Sequence, residues 1–301
     1  MPRPGSNDGF SLLEMIVCTT VLVVIATVAL SILGYSIKTY QSQHMQADMH
    51  AGLRSTLALM AQEVGQAGSL GSTAKTLNAA VTGSATAQTV NLNSIANIFV
   101  GQKLTVDTGS AQELVQVTAL PGLNQVTGIF KQNHASGAPV VAQGVFPQGI
   151  LSSSTATSLK FFGDINADGS LAYVQYDFDS AVGTLTRSIT TLAPGVTTRN
   201  ASETLLTNLV ANPDGTPFFQ YSSATNVTVS GTTYTFIPSV AVSLTLQTSK
   251  PDLQTGGFVT MNKSFVNLTC RNVLAGLTLA QANPPVPERF QPTPPGLPLA
   301  P

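Results

Sequence analysis

From Met15 to Ile37 the chain runs for 23 residues without a charged side chain: MIVCTTVLVVIATVALSILGYSI. As a helix rising ~1.5 Å per residue, such a run is about 34 Å long and matches a hydrocarbon core of ~30 Å. A single segment at that depth must satisfy its backbone amides and carbonyls internally, so it has to be helical. A secretory signal has a shorter apolar region, ~7–15 residues, after a basic start and before an A-x-A-like cleavage site. Here the only basic side chain of the leader is Arg3, Asp8 offsets it, and Thr27-Val28-Ala29 is as near as the run comes to a cleavage site. The expectation is a retained membrane helix.

Glu14 stands directly ahead of this run. A carboxylate beside residues that enter a bilayer is costly unless it is paired or interfacial. Ser11-Leu12-Leu13-Glu14 has the spacing of a capping box, in which Ser and Glu satisfy orphan amides at a helix start. Immediately upstream stands Gly9-Phe10, after a short polar leader.

The string Gly9-Phe10-Ser11-Leu12-Leu13-Glu14-Met15-Ile16-Val17 resembles the class III signal of type IV pilins and type II secretion pseudopilins. The resemblance implies that a prepilin peptidase cuts between Gly9 and Phe10 on the cytoplasmic side and N-methylates Phe10. Glu14 then becomes the fifth residue of the mature chain, where the family's glutamate pairs with the N-terminal amine of a neighbouring subunit. A carboxylate and an ammonium buried together neutralise each other, whereas either alone would carry a large desolvation cost. Major pilins often have a glycine and a proline partway along this segment; Val23 and Ser31 hold those places here. That departure favours a minor pilin or a pseudopilin over the main filament subunit.

Beyond the span, Met45, Met49, Leu53, Leu57, Met60 and Val64 recur at intervals of four, four, four, three and four, which is one face of an α-helix. Asp48, Arg54 and Glu63 fall on its other faces, and Gly65, Gly68 and Gly71 end the pattern, with Gly68 as a C-cap. LALMAQEVGQAG (57–68) resembles the helix end of tip-associated minor pilins. The stripe is expected to contact a globular head.

Charged residues are only 9% of the 301, and 76–102 carry none, against ~25% in ordinary globular chains. Residues 71–300 are rich in Thr and Val bounded by Gly, Asn and Pro, which reads as strands. TVNLNS, KLTVDTG, ELVQVTAL, QVTGIFKQ and PVVAQGV, punctuated by turn residues, suggest a small β insertion within 71–150. LKFFGD, LAYVQYDFD, GTLTRSI, PFFQYS, SVAVSLTLQT and FVTMNKSFVNLTC form a second block, 151–282. Val266–Asn272 resembles the last-strand ending of many minor pilins. Eight of the last nineteen residues are proline, so 283–301 is expected to be extended and disordered.

One string suggests ion chemistry. Asp164, Asn166, Asp168 and Ser170 stand in a D-x-N-x-D-G-S sequence that fits the opening of a calcium loop, where alternate oxygens converge on Ca2+. The match then fails at Gln175, where an EF-hand has its bidentate Glu, leaving Asp177 or Asp179 to supply a carboxylate. The same residues also make an ordinary Asx turn between two strands. Catalysis is not expected. His44, His50 and His134 have no metal-ligand spacing, and no nucleophile elbow or phosphate loop occurs. A net charge of −1 with scattered basic residues argues against nucleic acid. Cys18 in the span and Cys270 near the far end are not expected to pair.

The expected fold is α+β. A leader (1–9) precedes a long helix with a transmembrane assembly half (10–37) and an amphipathic half (38–68), packed on an antiparallel head with a β-rich insertion. The resemblance implies a minor pilin-like filament subunit in the bacterial inner membrane, head outside the cytoplasm, and later in a pilus or pseudopilus. Its partners would be the prepilin peptidase, other pilin or pseudopilin subunits and the inner-membrane assembly platform. A type II secretion pseudopilin and a membrane-tethered adhesin that never polymerises are the alternatives.

Overall fold

The computed structural model describes residues 11–71, 74–253 and 255–301, without the side chains of 265, 266 and 287. Gly9 and Phe10 lie outside the described residues. The chain is α+β: one long N-terminal helix and antiparallel sheets. Helix α1 spans Leu12–Gly65, 54 residues or about 80 Å. No proline occurs between Pro4 and Pro121 to interrupt it. Strands β1 (Lys75–Thr76), β2 (Gln88–Asn91), β3 (Lys103–Val106), β4 (Glu113–Gln116), β5 (Gln125–Gly128) and β6 (Pro139–Ala142) follow. Then come β7 (Ser158–Gly163), β8 (Ala172–Asp179), β9 (Thr184–Thr191), β10 (Glu203–Leu206), β11 (Leu209–Val210) and β12 (Phe219–Tyr221). The chain closes with β13 (Thr225–Val229), β14 (Thr232–Phe236), β15 (Ser239–Gln247), β16 (Thr260–Thr269) and helix α2 (Arg271–Gln281).

Two compact units divide these elements. The first holds α1 up to Ala51 and the loop Thr248–Thr260. The loop is tied at its base, where the Thr248 amide donates to the Val259 carbonyl (2.9 Å). It is tied again at its turn, where the Asp252 amide donates to the Gly257 carbonyl (2.8 Å). Ser42 Oγ, buried on the helix, donates to Asp252 Oδ2 at 3.2 Å.

The second unit holds Gly52–Gln247 and Met261–Pro301. Its insertion contains the sheet β1-β6-β3-β4 and the pair β2-β5 around a core of its own that includes Leu77, Val90, Leu104, Val115, Val126 and Phe130. His134 is locked beside that core: Nδ1 lies 3.1 Å from Asp107 Oδ2 and Nε2 lies 2.7 Å from Glu113 Oε1, with the ring wholly buried. The amide of Thr108 and the His134 ring hold the Asp107 carboxyl below its ordinary range. The head contains the sheets β10-β9-β8-β7 and β11-β15-β12, with β16 on β15 and the hairpin β13-β14 apart. The hairpin was not among the strands the sequence suggested. In it the left-handed Ser230 (φ 51°) and Gly231 (φ 83°) make a two-residue turn.

The C-terminal part of α1 is seated by the stripe read from the sequence. Leu53, Leu57, Met60 and Val64 are at most 2% exposed, each worth ~1.5–3 kcal/mol of apolar burial. Glu63, on a face other than the stripe, is buried as well. Its carboxylate accepts from the Tyr176 hydroxyl (2.5 Å) on β8 and from Arg187 on β9, which also meets Glu203 on β10. Burial alone would lower the Arg187 guanidinium, but Glu63 and Glu203 outweigh it and keep it firmly charged. At the helix end, left-handed Gly68 (φ 75°) donates its amide to the Phe162 carbonyl (2.8 Å) and accepts from the Phe146 amide. A Cβ there would sit 2.8 Å from the Phe146 carbonyl oxygen, so only glycine fits.

Two features of the C-terminal region depart from expectation. β16 is the last strand, ending at Thr269, but helix α2 follows it inside the stretch read as β-sheet head and buries the small face Val273, Gly276 and Ala280. The proline-rich tail is packed rather than disordered. Phe290 is wholly buried, with its ring 4.9 Å from that of Tyr234, and Leu299 joins the cluster of Phe146, Phe162 and Tyr173. The Gln291 side chain exchanges hydrogen bonds with the Lys103 amide and carbonyl (2.9 Å each) and donates to the Gln143 carbonyl (2.7 Å). Proline has already surrendered backbone freedom in the unfolded chain, so a few anchoring side chains suffice to hold such a segment.

Candidate functional site

The site that the sequence singles out begins at the first turn of α1. The Ser11 amide donates to Glu14 Oε2 (3.1 Å) and the Glu14 amide donates to Ser11 Oγ (3.2 Å). This is the reciprocal capping box, and it places the exposed Glu14 carboxylate against the helix's positive end. Glu14 is thus both a cap and the last carboxylate before the apolar run.

Every residue from Leu12 to Lys38 is exposed, including Leu13, Ile16, Leu22, Ile25, Leu30 and Leu33. The window is apolar and long enough to cross a membrane. Its hydroxyls do not spoil it. Thr19, Thr20, Thr27 and Ser31 each donate to a carbonyl three or four residues back, at 2.7–3.0 Å. These bonds satisfy the polar atoms within the helix, so that a hydrocarbon surround leaves none of these hydroxyls without an acceptor. Ser31 thereby continues the helix at the position where a proline would break it. Cys18 is an exposed thiol on this surface. Cys270 is also free, buried at the start of α2, and burial pushes its thiol up to about 12, so it stays protonated.

The calcium-type string folds into a closed turn between β7 and β8. Asp164 Oδ1 accepts from the Asp168 amide (3.1 Å) and Oδ2 from the Gly169 amide (3.0 Å), while Asp168 Oδ1 accepts from the Ser170 amide (2.8 Å). Ser69 Oγ accepts from the Asp164 amide at 2.8 Å, which ties the turn to the segment after α1. Asn166 lies on the same turn. The two further carboxylates considered for this string serve elsewhere. Asp177 accepts from Ser158, Gln175 and Arg199, and Asp179 Oδ1 accepts from the Ala181 amide. Among the described residues no group of three or more His, Cys, Asp or Glu side chains is placed to hold a metal ion.

Two functional features were missed from sequence. The buried Glu63 network seats α1, and the loop Thr248–Thr260 touches α1 just beyond the span. A carboxylate one residue ahead of the stripe position Val64 carried the first signal. The second had none, since its contact with Ser42 crosses more than two hundred positions.

No protein-family model and no curated protein sequence matches this chain.

Proposed function

We propose that the chain is a minor pilin-like structural subunit of a type IV pilus-like filament, with no catalytic role. Prepilin peptidase cuts between Gly9 and Phe10 and methylates Phe10; the subunit waits in the inner membrane as a single-pass precursor with its head outside the cytoplasm. The assembly platform then moves it into the filament, where α1 packs against the helices of neighbouring subunits.

The observation that carries this reading is the division of labour along α1. Its first part is apolar and exposed on all sides, and its last turns are fixed to a β head. A helix apolar all round needs lipid or other helices as its surround. Moving from one to the other exchanges lipid contacts for helix–helix packing without opening a backbone bond. Glu14 supplies register: its charge is neutralised in the packed state only beside an amine, and in the mature chain the Phe10 amine of a neighbour is the group of that charge and depth.

Glu14→Ala tests this. The variant should insert in the membrane to the same level as the unaltered chain yet disappear from sheared filaments. Equal filament levels would reduce α1 to an anchor.

A further inference from the structure

We infer that the loop Thr248–Thr260 is a lipid-docking element, which rests on the surface of the same bilayer that α1 spans. The inference depends on the membrane-spanning reading of α1 and adds to it a contact made by a loop far along the chain.

Depth along the helix sets the argument. The charge-free run ends at Ile37, and Ser42 lies five residues further on, a rise of ~7.5 Å. Headgroup layers add roughly 5–7 Å on each side of the hydrocarbon core, so Ser42 stands at the outer limit of that layer. Ser42 is where the loop touches the helix, through Asp252. Two large apolar side chains flank this contact and remain exposed: Leu253 (53%), next to Asp252, and Phe258 (54%), next to Gly257, whose carbonyl receives the Asp252 amide. Each is within one residue, ~3.8 Å of chain, of the turn that meets the helix.

The surroundings have an interfacial character. Tyr35 (66% exposed) and Tyr40 (68% exposed) bracket the end of the charge-free run on α1, just short of Ser42, as aromatic residues do at membrane–water boundaries. Lys38 on the helix and Lys250 in the loop are exposed cations, suited to lipid phosphates. The loop's own carboxylate, Asp252, is buried and turned to Ser42, so it does not oppose anionic lipids. In water, an exposed Leu and Phe on one short turn lose apolar burial; reaching from the turn into the headgroup layer, they regain part of it. The loop would then fix how far the precursor helix can slide or tilt before extraction.

The chain contains no tryptophan, so single probes report without background. The full chain carrying Phe258→Trp, and separately Leu253→Trp, is reconstituted in phosphatidylethanolamine–phosphatidylglycerol vesicles. Val24→Trp in the middle of the span serves as the reference. Quenching by lipids brominated near the headgroup end or near the chain terminus, and by aqueous iodide, is then measured. The expected result is deep-bromine quenching for Val24→Trp. Phe258→Trp or Leu253→Trp should show a blue shift, shallow-bromine quenching and loss of iodide quenching. Deep quenching at Val24→Trp, with both loop probes open to iodide and untouched by bromine, overturns the docking loop alone. Absence of quenching at Val24→Trp overturns the membrane reading and the docking loop with it.

Discussion

Removing the Glu63 carboxylate leaves the buried Tyr176 hydroxyl without its acceptor and the Arg187 guanidinium with Glu203 alone. Breaking a buried pair from one side typically costs about 3–5 kcal/mol, whereas Tyr176→Phe removes one hydrogen bond to a carboxylate, about 1.5–3 kcal/mol. Urea unfolding should therefore rank Glu63→Ala below Tyr176→Phe in midpoint; equal midpoints would mean that the pair does not seat the helix. Asp177 gives the pH dependence at this scale. Burial pushes its carboxyl up, but hydrogen bonds from Ser158, Gln175 and Arg199 and the Arg199 charge outweigh it, so the folded pKa is depressed. Its contribution is thus complete above the unfolded value, about 3.9, and is lost as pH falls through the folded value. Acid unfolding between about pH 5 and 2 should be shallower in Asp177→Asn than in the unaltered chain; parallel curves would contradict this. Neither role was assigned from the sequence. Glu63 lies next to a stripe position but its partners on β8 and β9 are over a hundred residues away, and Asp177 read as a spare ligand because Ser158 and Arg199 are distant in sequence.

At the scale of elements, α1 was legible because two patterns run through it without a break: a charge-free stretch of bilayer length and then a four-and-three apolar stripe. Both appear in the structure, the stripe buried from Met49 to Val64 and the span exposed. The major strands were legible from their β-branched runs and turn residues. Helix α2 was not, because its buried face consists of Val273, Gly276 and Ala280, too small to make an apolar period stand out. The tail misled for a compositional reason: eight prolines hide the anchors Phe290, Gln291 and Leu299. Phe290→Ala empties a site that packs on Tyr234 and Phe236 and should cost about 3–5 kcal/mol. Ending the chain after Ala282 should lower the melting temperature at least as far; an unchanged melting temperature would restore a disordered tail.

For the whole molecule, the sequence told more about the N-terminal helix than about the head. Low charge and Thr/Val-rich strands indicated an antiparallel head with an insertion, and the topology carries both. What they left open was how the pieces are tied together. Those ties are long-range pairs: Glu63 with Arg187, Gln291 with Lys103, and Ser42 with Asp252. None has a local sequence pattern. The candidate site divides the same way. The capping box at Ser11 and Glu14 is local and was legible, whereas the calcium-type string closes by Asx chemistry that the same letters also encode. Whether α1 enters a filament after prepilin-type processing, as proposed, is read from the mass and N-terminal sequence of the protein isolated from its own cells. A chain that begins with N-methylated Phe10 is the expected result; an intact Met1, or a start beyond residue 30, would overturn the proposal.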